Sequence, residues 1–120
     1  MNENLIIDTN ALIYSIKNKI DIREKLLYLP YTFNIYVPEC VISELRGLSR
    51  SHWYAKAALQ LGLKFNLLRS QGRGDDCILE MAMKINAFVL TNDRGLISRL
   101  RDHGIKILII SGEKRIHFYK

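Results

Sequence analysis

Short apolar runs alternate with amphipathic helical segments along nearly the whole chain, and this alternation constrains the fold more than any other feature. Residues 4–8 and 87–91 are almost continuously apolar, as strands of a parallel sheet covered on both faces are. The segments between such runs carry apolar residues with the 3.6-residue period of a helix. The alternation predicts an α/β fold, in which one domain of residues 1–120 forms a mostly parallel sheet with helices on both faces.

The boundaries of these elements follow from periodicity and from the positions of Gly and Pro. We predict strands at residues 4–8, 35–37, 64–68, 87–91 and 105–110. We predict helices at residues 9–18, 21–29, 38–48, 51–61, 75–86 and 93–103. Pro38 suits the first turn of its helix and Ser51 suits a helix cap, whereas the last ten residues fit neither period.

Acidic residues follow two strands that the pattern places inside the sheet. Asp8 ends the first strand and Asp93 follows the strand at 87–91. Right-handed crossovers would place both at the same edge of the sheet. Each acid alone is explained as a helix N-cap. Together they favour a functional site, because ligands bind at the carboxyl ends of parallel strands.

Helical periodicity orients the acids that lie on helices. Asp75 projects along the apolar face of its helix, whereas its neighbour Asp76 points roughly 100° away, toward solvent. Asp76 also suits the positive end of a helix dipole. Glu44 borders the apolar stripe of its own helix, and periodicity alone favours a solvated side chain at that position.

Carboxylates gathered at one edge would repel one another, which predicts a bound cation. Mg²⁺ is the expected ion because it prefers oxygen ligands. Zinc is not expected, since His52, His103 and His117 are scattered along the chain. Cys40 and Cys77 match no metal-binding spacing, and they are not expected to form a disulfide framework either.

The charge balance indicates a polyanionic partner. The net charge is +6 and the sequence pI is about 9.5. If four acids face a metal, the other eight of the 12 stand against 18 Lys and Arg, which favours nucleic acid. No apolar run reaches the roughly 20 residues of a membrane span, and the N-terminus lacks a signal peptide. We therefore expect a cytoplasmic protein without a membrane partner.

Basic and aromatic side chains on two helices leave alternatives open. Arg94, Arg99 and Arg101 lie off the apolar face of their helix, where they would either contact phosphates or be solvated. Trp53 and Tyr54 would either stack on bases or pack against a neighbouring helix or a second subunit.

Several short motifs, in their order and spacing, resemble the PIN-domain ribonucleases over nearly the whole chain. They read LIIDTN at residues 5–10, VPE at 37–39, SEL at 43–45, GDDCILEMA at 74–82 and VLTND at 89–93. The GDDCILEMA motif is particularly similar to archaeal PIN proteins and to relatives of ribosomal-RNA-processing nucleases. The resemblance implies a three-layer α/β/α sandwich and an enzyme that cleaves RNA endonucleolytically.

The same resemblance implies which residues form the site. It places Mg²⁺ or Mn²⁺ on an acidic quartet, Asp8, Glu44, Asp75 and Asp93. Glu44 thereby changes from an expected surface residue to an expected site residue. Asn10 and Thr91 match polar positions that support the site, and Asp76 matches an acid found in one branch of the family. The resemblance also implies homodimers and RNA as the substrate.

Alternative functions remain open at this point. Within the family, the protein would be a VapBC-type toxin held by an antitoxin protein, or a housekeeping RNA-processing nuclease. A receiver-like signalling domain also has a parallel sheet and an acidic Mg²⁺ pocket, but it needs paired acids after its first strand, where Asp8 stands alone. A PIN-like module that binds RNA without cleaving it is the third alternative.

Overall fold

Six strands form one sheet in the computed structural model, which describes residues 2–120. The strands are β1 (Asn2–Ile7), β2 (Thr32–Pro38), β3 (Asn66–Leu68), β4 (Ala87–Leu90), β5 (Ile107–Ile110) and β6 (Ile116–Phe118). Their order is β3-β2-β1-β4-β5-β6, and every neighbouring pair is parallel except β5 and β6. The predicted mostly parallel sheet is confirmed. Met1, the first residue of the predicted domain, lies outside the described residues.

Within residues 2–120, six helices connect the strands and cover the sheet. They are α1 (Thr9–Lys17), α2 (Ile22–Leu26), α3 (Glu39–Leu48), α4 (Trp53–Gly62), α5 (Gly74–Lys84) and α6 (Arg94–Asp102). Helices α1, α3 and α4 pack together, whereas α5 packs on β4 and α6 packs on β5. Because the strand order reverses at β1, right-handed crossovers put these two groups on opposite faces. No helix within residues 2–120 is long and apolar enough to cross a membrane.

Strands β1 and β4 lie side by side at the centre of the sheet. Ile6 and Val89 are paired in register and completely buried. Burial on both faces explains why the sequences of these strands are apolar without alternation. The register places Ile7 opposite Leu90, and the backbone N–H of Asp8 donates to the carbonyl of Leu90 at 3.1 Å. Asp8 therefore leaves the sheet at the point where both central strands end.

Besides shifts of one to three residues at several element ends, the structure corrects three details of the predicted boundaries. Pro38 is the last residue of β2 and the N-cap of α3, because its fixed φ of −67° with an extended ψ serves both positions. His52, and not Ser51, occupies the N-cap of α4. The chain end, which fits no period, contributes the antiparallel strand β6, whose three residues are too few to show alternation.

Candidate active site

The crevice where the strand order reverses lies between β1 and β4, and the loops after these strands carry Asp8 and Asp93. Both residues cap the following helix. Asp8 Oδ1 accepts from the N–H of Thr9 at 2.8 Å, and Asp93 Oδ1 accepts from the N–H of Leu96 at 3.1 Å. Capping uses one oxygen of each carboxylate, so it fixes the side chains at the carboxyl edge of the sheet and leaves acceptor capacity for a ligand.

Two threonines connect three acidic residues in one hydrogen-bond network. Thr9 Oγ1 donates to Glu44 Oε1 at 2.9 Å, while Thr91 Oγ1 donates to Asp8 Oδ2 at 2.8 Å. The backbone N–H of Asp93 in turn donates to Thr91 Oγ1 at 3.0 Å. Thr91, an expected supporting residue, is completely buried. Sequence reasoning missed Thr9, for which the only signal is a hydroxyl residue directly after Asp8.

A pair of asparagines holds the loop that carries Asp93. Asn10 Oδ1 accepts from the backbone N–H of Asn92 at 3.0 Å. The side chain of Asn92 donates to the carbonyl of Ile110 at 2.9 Å and accepts from its N–H at 2.8 Å. The loop is thereby tied to α1 on one side and to β5 on the other. Asn10, an expected supporting residue, thus contacts the loop of Asp93, and Asn92 holds the same loop although the sequence analysis did not single it out.

The neighbouring acids Asp75 and Asp76 point in different directions, in agreement with the helical count. Asp75 is half-buried, and burial followed by the nearby charge of Asp93 raises its pKa. Asp76 is exposed and pairs with Arg99, whose Nη2 lies 2.7 Å from Asp76 Oδ1. An ion pair this exposed contributes about 0–1 kcal/mol to stability. Asp75 therefore belongs to the acidic group, and Asp76 belongs to the helix surface.

Electrostatic repulsion links the four acids into one group. Burial raises the pKa of Asp8 to about 6, and the charges of Glu44 and Asp75 add to the rise. The hydrogen bonds from Thr91 and Thr9 act in the opposite direction but do not offset the burial. Asp75 is repelled by Asp93 in turn. Neighbouring negative charge therefore opposes the ionisation of both Asp8 and Asp75. A cation in this group would remove that cost.

The donor atoms of this group fit a hard divalent cation. No three His, Cys, Asp or Glu side chains within residues 2–120 lie close enough together to surround an ion by themselves. Mg²⁺ does not require such a cage, because it keeps several waters and is commonly bound by one or two carboxylates together with substrate phosphates. The donors here are carboxylate and hydroxyl oxygens, which suit Mg²⁺ or Mn²⁺ rather than zinc. The identity of the metal stays a prediction.

A disulfide joins Cys40 on α3 to Cys77 on α5, a bond that the sequence analysis did not predict. A separation of 37 residues carries no information about distance, and it is the fold that brings these first helical turns together. Cys40 lies one turn before Glu44, and Cys77 lies two residues after Asp75. The bond therefore ties together two helices that carry site acids.

Hydrogen bonds beside the disulfide fix the loop that enters α5. Ser70 Oγ accepts from the backbone N–H of Cys40 at 3.1 Å, and the N–H of Ser70 donates to Glu39 Oε1 at 2.9 Å. Because disulfides are rare in reducing cytoplasm, this bond does not favour the expected cytoplasmic location, which stays a prediction.

Reduction of the disulfide is expected to lower the free energy of unfolding by about 4 kcal/mol, the chain-entropy value for a closed loop of this length. Urea unfolding of the wild type with and without reductant measures the effect. The matched control is Cys40→Ala/Cys77→Ala. Its unfolding midpoint should lie near that of the reduced wild type and should not change with reductant. An unfolding midpoint of the wild type that does not move with reductant would contradict the pairing.

Comparison with known proteins identifies the family. A family model described as a PIN like domain matches residues 5–113. Ribonuclease VapC9 of Archaeoglobus fulgidus is 28% identical over 116 residues, which are 92% of this chain and 85% of VapC9. The rRNA-processing protein fcf1 of Schizosaccharomyces pombe is 33% identical over 118 residues, covering 92% of this chain. The chain spans 60% of the length of fcf1.

Solved structures agree with this assignment. The PIN domain endonuclease Utp24 superposes with a TM-score of 0.82 at 31% identity, over 96% of this chain and 90% of that chain. VapBC2 from Rickettsia felis, solved with a DNA fragment from its promoter, shares the fold with a TM-score of 0.66 at 19% identity. The match covers 88% of this chain and 98% of that chain. The chain belongs to the family of PIN-like domains.

Proposed function

We propose that this chain is a Mg²⁺- or Mn²⁺-dependent endoribonuclease that hydrolyses RNA phosphodiester bonds at its acidic quartet. The observation that carries the proposal is the network in which Thr9 and Thr91 join Glu44, Asp8 and Asp93 at the carboxyl edge of the sheet. Family membership supports it, because VapC9 is named a ribonuclease and Utp24 an endonuclease. The net charge of +6 supports a polyanionic substrate.

The four acids have different roles in the proposed mechanism. Asp8 and Asp93 are the proposed direct ligands, each held in place by its helix cap. A bound divalent cation supplies a water of lowered pKa and stabilises charge on the phosphate. Glu44 is exposed and commits one oxygen to Thr9, which leaves its other oxygen to orient the attacking water. Asp75, half-buried beside Asp93, holds a further ligand or orients that water.

Substrate reaches the acids along an open groove beside Glu44. The groove has a volume of about 660 Å³, and Ser43, Ser70 and Arg73 line it. Hydroxyl groups and a guanidinium at this position suit the phosphates of an RNA strand. Arg73 thereby supplies the positive charge for phosphate binding that the four acids cannot supply.

The strand order excludes a receiver-like signalling domain. Receivers have the doubly wound order 2-1-3-4-5, in which the first strand lies between the second and third. Here β1 lies between β2 and β4. A PIN-like module that binds RNA without cleaving it differs from our proposal only in activity, and a cleavage assay separates the two.

As the biological role we propose RNA processing rather than a toxin function. The chain is 33% identical to fcf1 and 31% identical to Utp24, compared with 28% to VapC9. An antitoxin protein would be a partner only in the toxin role. Expression in a host cell decides this point, because growth arrest relieved by co-expression of an adjacent gene product would identify a toxin.

Purified protein is expected to cleave RNA in the presence of Mn²⁺ or Mg²⁺ and to stop when a chelator is added. The reason is that the charges of neighbouring acids raise the pKa of Asp8 and of Asp75, and a bound cation would remove that cost. Structured and unstructured RNA should be incubated with each metal, with chelator, and with chelator followed by excess Mn²⁺. Cleavage that persists undiminished in chelator, from protein free of contaminating nuclease, would refute the mechanism.

A further inference from the structure

A second cavity, of about 430 Å³, opens next to Asp93, between α6 and the hairpin of β5 and β6. Its polar lining includes Asn92 and Arg94, the two residues that flank Asp93, together with Arg101 and Tyr119. The contacts of Asn92 with Ile110 put one end of the cavity at the carboxyl edge of β5. The other end lies beside the amino end of β5, where the N–H of Tyr119 donates to the carbonyl of Ile107. The cavity therefore leads away from the sheet edge that carries the acidic quartet.

One face of α6 supplies the basic side of this cavity. Arg94, Ser98 and Arg101 are spaced i, i+4 and i+7, which places them in one row along the helix. Arg99 lies on another face, where Asp76 neutralises it. Within residues 2–120, neither Arg94 nor Arg101 lies within ion-pair distance of a carboxylate. Two of the three arginines of this helix therefore present uncompensated charge to the cavity.

Tyr119 forms the opposite wall and adds an aromatic surface. The guanidinium of Arg101 lies over the ring of Tyr119, 5.6 Å from its centroid. Tyr119 itself is 37% exposed. A second groove, of about 310 Å³, continues from these two residues past Lys106 and Lys120. No acidic side chain lines either cavity among the described residues. The groove beside Glu44, in contrast, contains two glutamates.

We propose that this cavity binds the single-stranded RNA segment that leads away from the acidic quartet, a subsite that rests on the proposed nuclease function. Arg94 and Arg101 contact phosphates of the strand, and Tyr119 stacks on a base. Seven residues of helix separate the two arginines by about 10.5 Å, so they take different phosphates. Basic groups that follow the backbone, beside an aromatic platform, are the features that bind single strands without sequence preference.

Binding of a labelled unstructured RNA of about 12 nucleotides, within the range of single-strand sites, tests the subsite. Fluorescence anisotropy is measured in chelator, so that the RNA stays intact. Arg94→Gln/Arg101→Gln is expected to raise Kd about tenfold and to reduce the salt slope of log K by about 1.4, the value for two lost phosphate contacts on a single strand. Tyr119→Leu should raise Kd about fivefold without changing the slope, whereas Tyr119→Phe should bind like the wild type.

The matched control is Arg50→Gln/Lys56→Gln, which removes two exposed and unpaired positive charges from the turn after α3 and from α4. Its Kd and salt slope should stay near those of the wild type. If both double variants change binding equally, or if neither does, the subsite is refuted. Cleavage by the wild type in Mn²⁺ is measured separately. Its failure would refute the nuclease function, while the binding comparison in chelator would still decide the subsite.

Discussion

Asp8→Asn is expected to lower RNA cleavage about 100-fold or more, since even residues that only support a metal ligand cost 10–100-fold when mutated. Asn keeps the size of the side chain, and its carbonyl oxygen can still accept from the N–H of Thr9. The cap of α1 is therefore preserved. The amide nitrogen replaces the oxygen that accepts from Thr91, so the Thr91 hydroxyl must turn to accept from the amide, and the rest of the change is the loss of a negative charge. Initial rates on one RNA at saturating Mn²⁺ measure the effect.

The same substitution is expected to stabilise the metal-free protein at neutral pH. Burial raises the pKa of Asp8 from 3.8 to about 6, so the folded state binds this proton more tightly than the unfolded chain does. Stability from the protonated carboxyl is present at low pH and is lost as the pH rises between these two values. Above pH 6 the ionised carboxylate costs about 3 kcal/mol, and Asn removes that cost.

Thermal unfolding in chelator shows this difference. Asp8→Asn should melt at a higher temperature than the wild type at pH 7.5, and the two should converge near pH 4. Added Mn²⁺ should raise the melting temperature of the wild type and leave the variant unchanged. Asp102→Asn, an exposed acid at the far end of α6, is the control and should behave as the wild type in every condition. A variant that melts below the wild type at pH 7.5 in chelator would show that the ionised carboxylate of Asp8 does not destabilise the fold.

The place of the candidate site in the fold could be predicted from sequence because it follows from local rules. Unbroken apolar runs indicate two buried strands. Asp8 comes directly after the first and Asp93 three residues after the second. Handed crossovers then bring those strand ends together without any knowledge of side-chain packing. The different exposures of Asp75 and Asp76 likewise needed only the angle of 100° per helical residue.

Features that depend on contacts between distant segments could not be predicted in the same way. Glu44 is exposed, as its periodicity indicates. Its hydrogen bond from Thr9, 35 residues earlier, and the effect of its charge on Asp8 place it beside the strand end. Family resemblance, and not periodicity, predicts it as a site residue. Cys40 and Cys77 lie on helices whose contact is set by the packing of two layers. Residue spacing does not encode such packing.

Asp75→Asn is expected to lower cleavage about 100-fold, whereas Asp76→Asn should leave it within about fivefold, the factor that corresponds to 1 kcal/mol. Both changes remove one negative charge and hold side-chain size nearly constant, so the comparison isolates position. Asp75 is half-buried beside Asp93, while Asp76 pairs with Arg99 at the surface. Asp76 contributes at most about 1 kcal/mol to the free energy of unfolding, through this pair and the helix dipole.

The pH dependence of cleavage distinguishes an indirect role of Asp76 from a direct one. The charge of Asp76 raises the pKa of Asp75, and the charge of Arg99 lowers it. Asp76→Asn removes the repulsion and frees Arg99, so the acid limb of the pH–rate profile should move to lower pH while the plateau rate is kept. A plateau that falls more for Asp76→Asn than for Asp75→Asn would instead make Asp76 a ligand. In that case α5 would present its other face to the metal, and the division of its two acids would have to be reversed.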